Sequence, residues 1–330
     1  MSRNRGTRAR PEPGVLAAVL IAAAPLFASG PNVEDGVRLF NVGRHSDARA
    51  VLEAAVREDP NDARAPSYLG RVLLAAGEIE DAVEWMEKSV ALEEANAEYH
   101  LWLGRAYGSQ AIRASVLKQP GLARKVKKEF ERASKLDPDN LEARFGLIEY
   151  YLRAPGSLGG SLEKAEEQAR ELRKRDALEG HRAFGRLDEH RKDFDQALRE
   201  YGRAAAEFPG RAEPSYWTGA LYARIKDYSK AFGVYERILE SDPAQMAACY
   251  QIGRLAILSG QRLERGEECL KLYLRHDPKP DEPSLASAHY RLGLIYEKRG
   301  SRDLARREYR TALEMEPSRP EVRDALKKIS

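Results

Sequence analysis

The chain has 330 residues, with 55 lysines and arginines against 52 aspartates and glutamates, a formal charge of +3. Arg3, Arg5, Arg8 and Arg10 against Glu12 account for that excess, so the rest of the chain is neutral; this argues against a general nucleic-acid binder, which needs a net positive face. Cys249 and Cys269 are not spaced as Cys-x-x-Cys, which leaves thiol redox catalysis without support.

After the basic start comes an Ala-rich apolar run, Val15 to Phe27, broken by Pro25 and followed by Ala28, Ser29 and Gly30. This is a secretory signal pattern. The run is shorter than the roughly 20 residues a membrane span needs. Cutting after Gly30 would leave Pro31 at the new terminus, which keeps an uncleaved inner-membrane anchor open. Residues 1–30 are therefore expected to be a signal peptide or N-terminal anchor, and the protein periplasmic or secreted, or held at the inner membrane. No cysteine follows the run, as a lipoprotein would require, and no Arg-Arg pair suggests the twin-arginine route.

Beyond residue 30 a beat sets in: Gly36/Ala48/Pro60, Gly185/Ala197/Pro209, Gly219/Ala231/Pro243 and Gly293/Ala305/Pro317, with Gly70/Ala82 repeating its first half. It fits a unit of about 34 residues, the period of helix-turn-helix arrays. Small residues at unit positions 8 and 20 let two antiparallel helices approach closely. Large ones fill the gaps at position 11 (Leu39, Leu73, Tyr107, Tyr151, Tyr222, Tyr296) and position 24 (Met86, Phe130, Tyr201, Tyr235, Leu270, Tyr309), and are expected to form the core. Proline at position 32, preceded by Asp in Asp59-Pro60, Asp137-Pro138, Asp242-Pro243 and Asp277-Pro278, stops each unit. Eight units are expected, over 31–62, 63–96, 97–140, 141–177, 178–211, 212–245, 246–280 and 286–319, with a charged cap opened by Pro320 over 320–330.

Two units depart from the beat. Gly104 and Val126 are 22 steps apart where a plain unit has 12, and Ile148 and Ala165 are 17 apart, so the third and fourth units carry extensions on the same edge. In the first, Ala111, Ile112, Val116 and Leu117 are apolar at helical spacing, so the helix is expected to overrun until Gln119-Pro120-Gly121 stops it. The second, Ala154 to Ser161, is expected to be a shaped connector whose Ser161 caps the next helix. The Pro-rich break Lys279 to Leu285 reads as a local bend, and the basic run Arg124 to Lys128 as a solvated helix face behind Val126, Phe130 and Ala133. Cys249 and Cys269 fall on the two helices of the seventh unit, where they read as small buried thiols or as a disulfide.

The pattern resembles the tetratricopeptide repeat, most closely at His100-Leu101-Trp102-Leu103-Gly104-Arg105-Ala106-Tyr107 and His289-Tyr290-Arg291-Leu292-Gly293-Leu294-Ile295-Tyr296. The stretch from Trp102 to Ala165 is similar to one in uncharacterised exported bacterial repeat proteins, a resemblance that supplies no activity. The family implies an all-α, right-handed superhelical solenoid of about eight hairpins with a C-terminal capping helix. It also implies ligand contacts from positions 2, 5, 9, 12 and 13 of each first helix. Carried over, these place Arg71, Arg105, Arg186 and Arg254 at position 9, and Phe145, Tyr216, Tyr250 and Tyr290 at position 5. Arg64, Arg182 and Arg224 add charge, opposed by Glu142, Glu149, Glu179, Glu189 and Glu213. Arginine forks onto carboxylates and tyrosine offers rigid area with a polar tip, which suits an extended peptide; bridging between each Arg and a Glu on the next repeat is the other reading. The family's clamp for chaperone tails needs an asparagine at position 9, absent in every unit aligned.

No metalloprotease, hydrolase-elbow or dinucleotide motif occurs, and His181, His190, Asp188 and Glu189 are the nearest thing to a metal set. The expectation is a non-catalytic scaffold of the bacterial envelope that binds a protein or peptide partner, with no metal, cofactor or nucleic acid. The alternative is an accessory subunit or enzyme acting on envelope glycans or peptidoglycan through the two extensions.

Overall fold

The computed structural model describes residues 32–279 and 282–329, which hold seventeen α-helices, one short 3-10 turn and no strand. The apolar run at 15–27 and the cleavage point after Gly30 lie outside the described residues. Eight helical hairpins follow in chain order. They are α1 (Val33–Asn41) with α2 (His45–Glu58), α3 (Arg64–Ala76) with α4 (Ile79–Leu92), α5 (Ala97–Arg113) with α6 (Gln119–Leu136), and α7 (Leu141–Arg153) with α8 (Leu162–Arg175). Then come α9 (Ala177–Arg191) with α10 (Phe194–Glu207), α11 (Glu213–Arg224) with α12 (Tyr228–Ser241), α13 (Met246–Ser259) with α14 (Leu263–Tyr273), and α15 (Leu285–Lys298) with α16 (Arg302–Met315). The final α17 (Pro320–Lys328) opens on its proline, whose missing N–H costs nothing in a first turn.

Close approach of paired helices explains the small residues. A methyl added to Gly70 would lie 2.6 Å from Met86 Cγ, and one added to Gly219 would lie 2.7 Å from Tyr235 Cζ. Ala48, Ala82, Ala197, Ala231 and Ala305 are completely buried on the facing helices. The expected large residues fill the space between: Met86, Phe130, Tyr201, Tyr235, Leu270 and Tyr309 are all core. Asp59, Asp137 and Asp242 end α2, α6 and α12 in extended conformation, as the following prolines require. The link inside each plain hairpin passes through the left-handed region at unit position 15. Glycine stands there at Gly43, Gly77, Gly260 and Gly300, but lysine at Lys192 (φ 63°) and Lys226 (φ 65°).

First helices of successive hairpins touch one another, as in α1–α3, α3–α5, α5–α7, α7–α9 and α13–α15, while second helices make no comparable contact among the described residues. The first helices thus form the inner wall of the right-handed solenoid. Its ends meet: Ser46 Oγ donates to the carbonyl of Met315 at 2.8 Å, beside a cavity of about 260 Å³ lined by residues such as Val42, His45, Pro278, Leu285 and Met315.

The third hairpin corrects one expectation. Helix α5 ends at Arg113, and Gln119-Pro120-Gly121 opens α6 instead of stopping α5. Proline supports a helix start as readily as a stop, because its ring fixes φ at a helical value. Val116 and Leu117 lie in the turn between. In the fourth hairpin the connector is shaped by Tyr150, whose hydroxyl donates to the Leu158 carbonyl at 2.5 Å, and Ser161 caps α8 by accepting from Lys164 N at 3.2 Å. Cys249 and Cys269 are buried free thiols.

Candidate functional site

Caps fix where several first helices begin. The side chains of Asn96, Asn140 and Asp176 accept backbone N–H groups at the starts of α5, α7 and α9, and Ser284 does so for α15. Helices α3 and α13, which carry Arg71 and Arg254, start without a side-chain cap.

The N-terminal half of that wall is charge-compensated. Arg71 is 7% exposed and lies between the rings of Tyr68 (4.3 Å) and Trp102 (4.7 Å), with Nη2 3.2 Å from Glu98 Oε1 and Nε buried without a hydrogen bond. Burial lowers its pKa from the ordinary arginine value, with Glu98 opposing. Arg105 also lies over the Trp102 ring at 4.7 Å and donates to Glu142 Oε2 at 2.6 Å. In both, a position-9 arginine reaches position 2 of the next unit. Arg186 turns the other way, forking onto Glu149 at 2.8 and 3.1 Å and also meeting Glu189, which takes Arg224 as well. Burial raises the Glu149 pKa, but Arg186 and Arg153 outweigh it and hold the carboxyl below its ordinary value. Phe145 is buried beneath the Arg182 guanidinium at 3.8 Å.

The C-terminal half differs. Arg254 is exposed; its recorded side-chain partner is Gln251 Oε1 at 3.2 Å, and it makes no ion pair among the described residues. The reason is local: position 2 of the eighth unit is Ser287, where the third and fourth units have Glu98 and Glu142. Nearby in the stack, the buried Tyr216 hydroxyl has no hydrogen-bond partner, and Tyr216 packs on Tyr235 at 6.1 Å. Tyr250 is buried and accepts from Arg291 Nε at 2.6 Å, and Tyr290 lies 5.8 Å from the Tyr309 ring. The eight expected residues therefore divide between two regions, of which the second keeps an arginine free of carboxylate.

Three of the histidines share one place in the repeat. His100, His181 and His289 all occupy unit position 4, and each meets a glutamate at position 23 of its own hairpin: Glu129 at 2.5 Å, Glu200 at 2.8 Å and Glu308 at 2.7 Å. Arg144 and Gln168 form the same clasp in the fourth unit at 3.2 Å, and Cys249 and Cys269 stand there in the seventh. Shared unit position was the signal that could have found these pairs. They tie the two helices of a hairpin together. His181 belongs to such a clasp, His190 is exposed, and no group of three metal-ligating side chains occurs among the described residues.

Tetratricopeptide repeat family models match residues 39–107, 182–245 and 286–319. The general transcriptional corepressor ssn6 of Schizosaccharomyces pombe is 26% identical over 43% of this chain, and the BBSome complex member BBS4 homolog of Drosophila melanogaster is 26% identical over 69% of it. The chain spans 12% and 47% of those two relatives' lengths. Yeast Tom70 superposes with a TM-score of 0.55 at 13% identity, covering 86% of this chain and 58% of Tom70, a likeness of fold alone. With the Gly/Ala/Pro beat, the stacked hairpins and three separate stretches all matched by one family's models, this chain belongs to the tetratricopeptide repeat proteins.

Proposed function

We propose that this chain is a non-catalytic scaffold that holds an extended protein segment against its inner wall, with a carboxylate of that segment taken by Arg254. Membership of a family whose proteins bind protein partners supports the general role. The observation that carries the site is the Arg254 guanidinium, exposed and without a carboxylate, in a wall whose other position-9 arginines are neutralised. Arginine offers a planar fork of donors that matches a carboxylate, and the flanking tyrosines give rigid contact area. The signal pattern over residues 1–30 supports export, so the partner is sought in the bacterial envelope.

The test is photo-cross-linking in the native cell from a reactive residue at 290, compared with one at Arg310 on the outer helix α16. Capture from 290 that disappears in R254E, with none from 310, supports the reading. Capture that persists in R254E, or that comes from 310 alone, rejects it. Fractionation of a tagged chain tests the location; a signal confined to the cytosol rejects export.

A further inference from the structure

The most exposed large aliphatic side chains among the described residues are Ile112, Val116 and Leu117, at 75, 79 and 93%. All three lie where α5 gives way to α6, so they form one protruding apolar tip. A soluble fold gains nothing from such a tip, and contiguous exposed apolar surface marks an interaction site.

Charge surrounds it on one side of zero. From Tyr99 to Lys128 the sequence contains no Asp or Glu, while Arg113, Lys118, Arg124, Lys125, Lys127 and Lys128 crowd the stretch from residue 113 onward. Some are engaged: Arg113 donates to the Gly77 carbonyl at 2.8 Å, Lys125 lies 3.2 Å from Glu87 and Lys127 3.6 Å from Glu131. Lys118 and Arg124 make no ion pair among the described residues, and Lys128, with its side chain 80% exposed, approaches Glu129 no closer than 3.9 Å. Beside Leu117 an open depression of about 660 Å³ is lined by Gln110, Arg113, Lys118 and Lys125, with Glu80 the one acid.

We propose that this turn docks onto an anionic phospholipid surface, its aliphatic tip entering the bilayer boundary while Lys118, Arg124 and Lys128 meet headgroup phosphates. The tip projects instead of forming a groove, and it carries aliphatic chains without the aromatic anchors that centre protein interfaces. A bilayer needs no matching cavity to receive it; interfacial segments bury their apolar face about 5–10 Å deep. The complementary charge selects anionic over neutral lipid. This assignment is independent of what the inner wall binds.

The test attaches an environment-sensitive dye to L117C in the full chain, where Cys249 and Cys269 are buried, so that the signal is local and indifferent to residues 1–30. With phosphatidylglycerol vesicles the emission should rise and shift to the blue; phosphatidylcholine vesicles should have no effect, and a dye at E240C on the outer helix α12 should stay silent. Adding K118Q and K128Q should weaken the response about twenty-fivefold, at about fivefold per charge removed, with far-ultraviolet circular dichroism unchanged. Silence at L117C on phosphatidylglycerol overturns the proposal. So does an equal response to soluble polyglutamate, which would assign the tip to an acidic protein.

Discussion

If helix spacing is set by the absence of a side chain at position 8, two glycine-to-alanine changes of identical chemistry should move stability in opposite directions. Gly202 lies inside α10 with no atom within 4 Å of where a methyl would go, so G202A keeps only the gain in helix propensity, about 1 kcal/mol. Gly219 lies inside α11, where the methyl would meet Tyr235 at 2.7 Å from Cζ and 2.8 Å from Cε1. Tyr235 is 2% exposed and packed against Tyr216, so the ring has little room to retreat. Overpacking of this kind costs about 1–3 kcal/mol, which turns the same propensity gain into a net loss of about 1 kcal/mol. The two variants should therefore differ by about 2 kcal/mol. Urea unfolding followed by circular dichroism at 222 nm reads the difference as a shift in midpoint, lower than the parent for G219A and higher for G202A. A midpoint for G219A at or above that of G202A would refute the packing argument.

The position-4 clasps should scale with burial. His100 and Glu129 are both nearly inaccessible, so E129A leaves the Nδ1 of a buried histidine unpaired, with the Glu94 carbonyl still at Nε2, and should cost about 3–5 kcal/mol, whereas the double change H100L/E129L should be close to neutral. In the more open pair of His289 and Glu308, E308A should cost no more than about 1 kcal/mol; equal losses at the two sites in urea unfolding would contradict the scaling. The contact between the ends should respond to acid. Burial lowers the pKa of His45 from its ordinary 6.5 against the pull of Glu316, so its contribution is present in full above pH 6.5 and is lost as pH falls through the lowered value. Energy transfer between dyes at R57C and R310C should drop on acidification and should not do so in H45Q; a transfer that is flat from pH 8 to 5 would disprove the link.

The beat of small residues was legible because it answers a steric demand that leaves almost no choice: where Gly70 meets Met86, or Gly219 meets Tyr235, a larger residue does not fit. Pro120 was visible but ambiguous, since a proline can end one helix or begin another, and the turn at 114–118 decided between them. The contact between Ser46 and Met315, 269 residues apart, follows from many small rotations between hairpins and has no local trace.

The arginines of the inner wall fall between these cases, and their logic can be recovered from the register of neighbouring units. Arg71 and Arg105 each reach forward to position 2 of the next unit, where Glu98 and Glu142 stand. For Arg186 position 2 of the next unit is Glu213, but Arg211 holds that carboxylate at 2.6 Å, and Arg186 pairs back to Glu149. Arg254 finds Ser287 there, and the Ser287 hydroxyl accepts from Arg319 at 2.7 Å. The carboxylate one forward step in register thus accounts for the pairing of Arg71 and Arg105 and for the lack of an ion pair at Arg254. Replacing Ser287 with glutamate, and Arg319 with glutamine so that it cannot hold the new carboxylate, should supply Arg254 with the missing partner. In S287E/R319Q, capture at position 290 should fall as it does in R254E while the fold persists, and undiminished capture would show that the missing carboxylate is not what keeps Arg254 available.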